Sequence, residues 1–490
     1  MPDFSRRDLL KSAAAATATA AAAALSTAAH AQTTSGPAAA APVVGIQIGA
    51  GPLAGDTDHL LDTLRSVGGI NSLFLFIFGH EARFVPWPPA TFRGGNYAVP
   101  HMQYYNGSGL ALEDLRAPEY PDLDILDRAM KATRKHGFRT FALIEEAEGQ
   151  PQTPPWQAFY EFDYLGRRQR NPCSNNPGYR AFTLGLVEDY TRSYDVDGFM
   201  WSSERQGAFT NALGARHGGA SSDPTRVTCF CEHCTTRAAA RGINVDRAKQ
   251  AFAALADFVR AGRANKRPRD GYFVTLFRLL LKFPELLVWE QFWIDSRRQL
   301  MIDLRNKVKS INPHTPVGIH VWHNASFSPF YRAEIDFADM AQNADFIKPV
   351  LYNACAGSRI KTYADSVSHT IFGDLPPDQI LQIHYQFFDY HQPPYDKVAA
   401  AGFSTDYISG EIKRTLDDIA AAPPDHPVPV YAGLDCDIPG AAYTADSVKA
   451  SVLAAFHAGA NGVIFARNWG EMNPLHVAGI GAAVKELGIS

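Results

Sequence analysis

Strand-like apolar runs alternate with segments of helical periodicity along almost the whole chain, and this alternation constrains the fold more than any other feature. It predicts parallel strands joined by crossover helices. We expect eight strands, at 43–48, 72–78, 140–144, 198–201, 317–321, 346–352, 428–432 and 462–466. Helical patterns lie between them, among them 57–67, 125–136, 178–194, 285–311 and 444–458. Eight such units predict an α/β fold, the (β/α)8 TIM barrel, whose reactive residues follow the carboxyl ends of the strands.

Three long connections leave the carboxyl ends of predicted strands, at 79–121, 204–282 and 353–427. Compact domains rarely keep loops of this length without a use, so we expect them to wall one pocket at the carboxyl-terminal face. The alternative fold is a doubly wound open sheet. No G-x-G-x-x-G follows the first predicted strand, so the dinucleotide site typical of that fold is not indicated.

Composition excludes several classes of protein. The 490 residues contain 46 Lys and Arg against 50 Asp and Glu, which gives a formal charge of -4 and no basic field for a nucleic-acid partner. Aromatic residues make up 11% of the chain and run through its whole length, which excludes general disorder. Six cysteines in this length do not form a disulfide scaffold.

The first 31 residues have the pattern of a twin-arginine signal peptide. Arg6 and Arg7 precede a weakly hydrophobic Ala-rich run, and Ala29 and Ala31 supply small residues for a cleavage site. The alternative is an Ala-rich helix of the folded domain, but the run is not amphipathic. A linker at 32–42 would follow. We therefore expect a periplasmic or secreted protein without a membrane span, since no later stretch reaches the roughly 18 apolar residues required.

Cys229, Cys231 and Cys234 lie within six positions. One backbone turn with this spacing can direct all three sulfurs at a single tetrahedral ion, and zinc is the expected ion. The fourth ligand would be Cys173 or, within the turn, His233. Cys173 is preferred because four thiolates close a structural site. In an oxidising compartment, a disulfide between Cys173 and the cluster is the alternative.

The upstream cysteine belongs to a longer pattern. Segment 171–180 reads NPCSNNPGYR, and it precedes a helix, a strand ending at Glu204 and then C-x-C-x-x-C. Over residues 171–324 this arrangement resembles the zinc-binding β-galactosidases of glycoside hydrolase family 42 and related clan-A barrel enzymes. The resemblance implies one zinc beside the active site and Glu204 as general acid/base. The family pattern has Asn-Glu where this chain has Ser203-Glu204, so we expect a barrel hydrolase related to that family rather than a true β-galactosidase.

Glycosidic hydrolysis needs one carboxyl group to protonate the leaving oxygen and a second to act as nucleophile or to activate water. Glu204 at the end of the fourth strand would supply the first. Asp435 and Asp437 follow the seventh strand, where clan-A enzymes carry a glutamate nucleophile, and Asp435 is preferred. A salt bridge or a turn cap is the alternative role for either aspartate. Alternation places at most one of Glu145 and Glu146 in the pocket, and Glu146 is the further catalytic candidate.

Other side chains at strand ends are candidates for substrate binding. They are Trp201, His320, Trp322, His323, Lys348, Tyr352, Asn353 and Trp469. Trp469 resembles the eighth-strand tryptophan that floors the sugar site in clan-A barrels. Lys348 is costly inside a barrel unless it meets a carboxylate. Together with Arg205 and Arg467 at other strand ends, it indicates an acidic sugar, such as a uronate, as one candidate substrate.

The sequence thus predicts an exported glycoside hydrolase, with Glu204 as acid/base, Asp435 as nucleophile or base, and a structural zinc beside them. Two other classes stay open. One is a carbohydrate-binding barrel that has lost catalysis. The other is a metal-dependent hydrolase or lyase with His320 and His323 as ligands. The expected partner is a carbohydrate, and self-association as a homo-oligomer stays open.

Overall fold

The structure is a computed structural model that describes residues 41–79, 95–146, 151, 153–221 and 223–489. The predicted signal peptide at 1–31 and most of the linker at 32–42 lie outside the described residues. Within the described ranges, no helix combines the length and apolarity needed to cross a membrane.

Eight parallel strands form a barrel, which confirms the predicted fold. Their order around the barrel is β10-β11-β1-β2-β4-β7-β8-β9, and parallel bridges Ile347–Val430 and Val350–Gly433 join the two ends. A short β3 extends β2, while β5 and β6 form a separate hairpin. The strands are β1 (Val43–Ile48), β2 (Ser72–Gly79), β3 (Gly95–Asn96), β4 (Arg139–Glu145), β5 (Tyr160–Phe162), β6 (Arg168–Pro172), β7 (Gly198–Ser202), β8 (Val317–Val321), β9 (Phe346–Pro349), β10 (Tyr431–Asp435) and β11 (Gly462–Ala466).

Helices connect the strands and build the long loops. They are α1 (Ala50–Ala54), α2 (Thr57–Gly68), α3 (Leu112–Leu115), α4 (Ile125–His136), α5 (Pro154–Gln157), α6 (Pro177–Asp189), α7 (Ala208–Ala212), α8 (Glu232–Ala240), α9 (Val245–Arg263), α10 (Tyr272–Lys282), α11 (Glu285–Ile311), α12 (Pro329–Ala333), α13 (Phe337–Gln342), α14 (Asn353–Val367), α15 (Pro377–Phe388), α16 (Tyr395–Ala401), α17 (Thr405–Ala421), α18 (Ala445–His457) and α19 (Pro474–Leu487). The β5–β6 hairpin follows β4, and α7 to α10 follow β7, so both insertions leave the carboxyl-terminal face.

Large apolar side chains fill the interior of the barrel. The buried cluster consists of Val43, Phe74, Phe76, Phe141, Leu143, Met200, Phe346 and Ile464. Neighbouring strands make room for these rings with glycine. A Cβ atom at Gly198 would lie 2.6 Å from the Phe141 ring, and one at Gly318 would lie 2.1 Å from the Phe346 ring. This alternation of large and small residues fixes which positions of each strand face inward.

The seventh barrel strand is displaced from its predicted position. The expected strand at 428–432 is observed as β10, Tyr431–Asp435, and the expected strand at 346–352 ends at Pro349. Pro427 and Pro429 lack the N–H group that a central strand donates to its neighbour, which delays regular pairing. The displacement makes Asp435 the last residue of the strand rather than a loop residue.

Candidate active site

Glu204 lies at the carboxyl-terminal mouth of the barrel, two residues after β7. It continues the inward-facing positions Met200 and Ser202. Its Oε1 atom is 3.5 Å from Nε2 of His320, and 23% of its side-chain surface is exposed. The carboxylate is thus held against a strand of the barrel and still open to a ligand.

A layer of polar side chains lies beneath Glu204 and crosses four neighbouring strands. Glu145, Ser202, His320 and Lys348 are directly paired in register from β4 to β9. The Ser202 hydroxyl donates to Glu145 Oε2 at 3.2 Å, and Lys348 Nζ is 3.2 Å from Nδ1 of His320. While Lys348 is protonated, its ammonium group can only donate, so His320 then accepts at Nδ1 and carries its hydrogen on Nε2, which faces Glu204.

Lys348 is fully buried in this layer. Burial lowers its pKa to about 7, against the opposing charges of Glu204 and Glu145. The side chain therefore changes its charge near neutral pH, directly beneath a carboxylate at the mouth. The acidic groups that act on Lys348 are Glu204 and Glu145, and not the predicted candidate Glu146.

Asp435 occupies the inward-facing end of β10 and is almost fully buried. Its Oδ2 atom accepts hydrogen bonds from the Cys355 backbone N–H at 3.1 Å and from the Tyr443 hydroxyl at 2.8 Å. Its Oδ1 atom is buried without a hydrogen-bond partner among the described residues. Burial raises the pKa of Asp435, and the two donors and nearby Arg359 oppose that rise. One oxygen is fixed by the fold, and the other stays available.

Arg359 joins the two carboxylates electrostatically, although no sequence motif marked it. Burial opposes its charge, but Cys355, Glu204, Tyr352 and Asp435 raise its pKa. Glu204 and Asp435 therefore both lie near this guanidinium, and both also raise the pKa of Tyr352, which burial raises most. Within α14, Arg359 is four residues from Cys355 and from Tyr363, so a charge interrupts the buried stripe of the helix. That interruption was the signal in the sequence.

His323 is held on both ring nitrogens. Arg359 Nη1 donates to its Nδ1 at 2.7 Å, so the hydrogen lies on Nε2, which is 3.1 Å from the Tyr407 hydroxyl. Burial and the charge of Arg359 place the pKa of His323 well below its usual range. A neutral histidine with both nitrogens engaged does not fit the metal-dependent alternative. Within the described part of the chain, no metal-binding set of three or more residues includes His320 or His323.

Several predicted site residues lie away from the mouth cluster. Asp437 receives hydrogen bonds from Asn473 and pairs with His476 at 2.7 Å, beside α19. Arg467 pairs with Glu471 at 2.5 Å, so it is not a free cation for a substrate acid. Both side chains therefore have partners outside the mouth cluster.

Some of the predicted aromatic and amide residues lie at the mouth, and others pack within the fold. Tyr352 is buried at the mouth, with its ring 5.7 Å from Lys348 Nζ. Asn353 is used by the fold, since it donates to Phe403 O and accepts from Ser451. Trp201 lines a cavity of 460 Å³ with residues of α11 to α13, and Trp469 is half-buried in the loop after β11. Trp322 packs on His217 and Tyr331.

His217 and Tyr443 were not predicted. His217 comes from the long loop after β7, and its ring lies 5.1 Å from that of Trp322 and 6.0 Å from that of His323. Its Nε2 atom is buried without a hydrogen-bond partner among the described residues. Long-range contacts place both residues at the mouth, and no local pattern in the sequence marks either of them.

The four cysteines come together as predicted. The sulfur ligand atoms of Cys173, Cys229, Cys231 and Cys234 all lie within 4.8 Å of one another, with Sγ–Sγ distances of 3.4 Å for Cys173–Cys234 and 3.6 Å for Cys173–Cys231. All four are buried and free, so the alternative disulfide is not formed. Tetrahedral zinc with bonds of about 2.3 Å separates sulfurs by about 3.8 Å, which is close to this geometry. Cys173, and not His233, completes the set.

Arg205 connects the cysteine cluster to Glu204, its neighbour in sequence. It is buried and pairs with Glu146 at 3.2 Å and with Glu161 at 2.5 Å. Its Nη1 also donates to the Pro172 carbonyl, one residue before Cys173. Burial opposes the charge, but Glu161 and Glu146 raise the pKa of Arg205. Arg205 is therefore committed to the fold and not to a substrate.

Glu146 is equally committed. The Ser174 hydroxyl donates to its Oε1 at 3.1 Å, and Arg297 Nε lies 3.5 Å from Oε2. Burial opposes ionisation, but Arg297 and Arg205 together lower the pKa of Glu146. Glu161, the second glutamate that pairs with Arg205, accepts a hydrogen bond of 2.6 Å from the Thr228 hydroxyl. Thr228 is the residue before Cys229. Both cysteine-bearing segments thus reach the loop of Glu204 through this network of ion pairs.

Comparison with known proteins concerns the fold. No family model matches the chain, and no curated protein matches it. Among solved structures, it is similar to α-L-fucosidase isoenzyme 2 from Paenibacillus thiaminolyticus (13% identity, 91% of this chain and 49% of that one, TM-score 0.48). It is also similar to a β-galactosidase from Halorubrum lacusprofundi (14%, 91% and 58%, 0.49) and to the PgaB (BpsB) glycoside hydrolase domain from Bordetella bronchiseptica (11%, 87% and 94%, 0.46). The chain spans about half the length of the fucosidase and 58% of the β-galactosidase.

Proposed function

We propose that the chain is a glycoside hydrolase in which Glu204 is the general acid/base and Asp435 is the nucleophile or the base that activates water. The observation that carries the proposal is the pair of carboxyl groups at the ends of the fourth and seventh barrel strands, both close to Arg359 and Tyr352. The substrate class is a carbohydrate, and residues 1–31 would direct export through the twin-arginine route.

The surroundings of the two carboxyl groups suit different roles. Glu204 is partly exposed and borders His320, whose Nε2 hydrogen faces it, so it can exchange a proton with a leaving oxygen. Asp435 has one oxygen fixed by Tyr443 and Cys355 and one without a partner, as a nucleophile or a base requires. Oxygens about 5–5.5 Å apart would retain the anomeric configuration, and a wider gap of roughly 6.5–9.5 Å would invert it.

We also propose that the four cysteines hold a structural zinc. Burial raises the pKa of the Cys229 thiol, and its sulfur neighbours add to that rise, so a bound cation would be needed to hold these sulfurs as thiolates. Zinc would supply that charge and fix the turn, and through Arg205 it would stabilise the loop of Glu204. Elemental analysis of the folded protein tests this proposal directly: one zinc per chain supports it, and a folded chain without metal contradicts it.

The test of the activity compares Glu204→Gln with the unaltered protein on a panel of aryl glycosides and polysaccharides. We expect kcat to fall by about 10²–10⁴-fold, because the acid/base proton is lost while the shape of the site is kept. Glu486→Gln is the matched control, since Glu486 pairs with Lys449 at the surface. Turnover retained by Glu204→Gln would refute the assignment, and binding of sugar without any product would favour the catalytically inactive barrel.

A further inference from the structure

Within the part of the chain that the structure describes, the charge of Arg359 has no carboxylate partner. Among the described residues it forms no salt bridge, and its one hydrogen bond is the donation from Nη1 to neutral His323 at 2.7 Å. Its guanidinium lies 5.5 Å from the centre of the Tyr352 ring. Buried Arg205 and Arg332 differ, because both pair directly with glutamates, Arg332 with Glu411 at 2.6 Å. Arg359 is thus a largely buried cation with donors to spare.

The donors of Arg359 belong to the candidate active site. Arg359 lies in the second turn of α14, which begins four residues after β9 ends at the mouth. The hydrogen bond to His323 and the packing on Tyr352 restrain its side chain, so its direction is set before any ligand binds. A guanidinium has five N–H donors in a planar fork, and a carboxylate accepts two of them in parallel.

A second unpartnered group lies beside it. The Nε2 atom of His217 is buried and has no hydrogen-bond partner in the described part of the chain. Burial and the charge of Arg359 lower the pKa of His217 to about 3, so its ring is neutral. Arg216, its neighbour in sequence, likewise has a buried Nε atom without a partner among the described residues. Unused polar groups of this kind are costly to bury, which points to a ligand that satisfies them.

We propose that this mouth binds a uronic acid residue, whose carboxylate is held by Arg359 and one of whose hydroxyls bonds to His217. The proposal rests on the proposed hydrolase function and names its substrate class. Glu204 and Asp435 would repel an anionic sugar unless a cation compensated them, and Arg359 supplies that cation. Of the three basic residues that the sequence offered for this role, Arg205 and Arg467 are paired with glutamates, while Lys348 remains beneath the site.

The test uses pairs of aryl glycosides that differ only in the acid group: glucuronide against glucoside, and galacturonide against galactoside. We expect the protein to prefer one uronide by about 10²-fold or more in kcat/KM, the effect of a buried charge pair. Arg359→Gln should remove most of that preference, because it should lower kcat/KM for the uronide far more than for its neutral partner. Arg359→Lys should restore part of it, since the charge returns without the fork. Arg134→Gln, whose arginine pairs with Asp195 at the opposite end of the barrel, is the control.

Binding gives a second readout that does not depend on turnover. Calorimetry with the Glu204→Gln variant should detect the matching free uronic acid, and adding Arg359→Gln should abolish that binding. Equal losses on acidic and neutral glycosides with Arg359→Gln would overturn the inference and leave the proposed function standing. Selective binding or turnover of a sulfated sugar instead would overturn the carboxylate assignment. Uronate binding in a protein that hydrolyses no glycoside would support the anion site and refute the hydrolase.

Discussion

Arg205, which is buried, and Arg359, which is half-buried, show how differently one molecule uses the same side chain. Arg205 meets two glutamates and a backbone carbonyl, while Arg359 meets one neutral histidine and no acid among the described residues. The first arrangement is complete without a ligand. The second leaves a charge and several donors unused beside two carboxyl groups. A satisfied buried charge therefore indicates a structural role in this chain, and an unsatisfied one indicates a binding role.

The same contrast, between paired and unpaired charges, distinguishes the surroundings of Arg205 from those of Glu204. Its chain neighbour Arg205 belongs to a network that reaches both cysteine segments, through Pro172 and through Thr228. Glu204 itself faces the mouth and the His320–Lys348 pair. The main chain at this point thus joins a region built for rigidity to a region left open for chemistry.

The largest expected effect comes from breaking the complete network. Arg205→Met should destabilise the protein by about 3–5 kcal/mol, because Glu146 and Glu161 would stay buried without their cation. Denaturant unfolding would measure the loss, with Arg134→Met as the control for removal of an exposed arginine. Activity should fall as well, since the loop of Glu204 loses its anchor. An unchanged unfolding midpoint would contradict the structural role assigned to Arg205.

Removing the proposed metal should have the next largest effect. At zinc concentrations about 100 to 1,000 times the Kd, binding contributes about 3–4 kcal/mol to stability, and a chelator or Cys234→Ser should remove it. Thermal unfolding with and without added zinc would show the change, and Cys436→Ser, which lies outside the cluster, serves as the control. A thermal unfolding midpoint that changes with neither the chelator nor the substitution would show that the cysteines do not stabilise this region.

A smaller effect, of opposite sign, is expected beneath the mouth. Below pH 7, Lys348 is protonated in both the folded and the unfolded chain, so its buried charge lowers the free energy of unfolding. Between its folded pKa of about 7 and the ordinary value of 10.5, only the unfolded chain holds the proton, so the free energy of unfolding rises with pH. Lys348→Met should therefore stabilise the protein by about 1–2 kcal/mol below pH 7, with a gain that shrinks towards pH 10.

Unfolding at pH 6 and pH 9 would measure that gain. Lys131→Met is the control, because Lys131 is exposed in an i, i+4 pair with Asp127. A gain that is the same at both pH values, or a loss at pH 6, would show that Lys348 carries no charge penalty. It would also weaken the contrast between the uncompensated charges at the mouth and the paired charges beside the cysteine cluster.

Much of this architecture could be predicted because periodicity determines it. The barrel strands, the cysteine turn and the strand-end position of Glu204 follow from local patterns, whereas Asp435 was predicted to follow a strand that it in fact ends. The choice between Glu145 and Glu146 did not, since alternation says that one of them faces inward but not which. That assignment depends on register against β7, where Ser202 pairs with Glu145.

The partners of charged residues were also beyond the sequence. Arg205, Arg467 and Lys348 look equivalent at strand ends, yet the first two find glutamates and the third meets a histidine. Arg359 was missed because it lies on a helix rather than at a strand end. Distances between segments that are far apart in the chain decide such pairings, and no local rule supplies them.

The aromatic side chains inside the barrel determine how a ligand can reach the candidate site. Phe74 and Phe141 stack on each other, and Phe346 packs edge to face against both, with ring centroids 4.6 to 6.5 Å apart. These rings fill the barrel, so no passage runs through it. A ligand would therefore enter and leave through the same mouth of the barrel. In the proposed hydrolase, a polymeric substrate could not pass through the barrel, so it would be cleaved only where it crosses the mouth or offers a free end there.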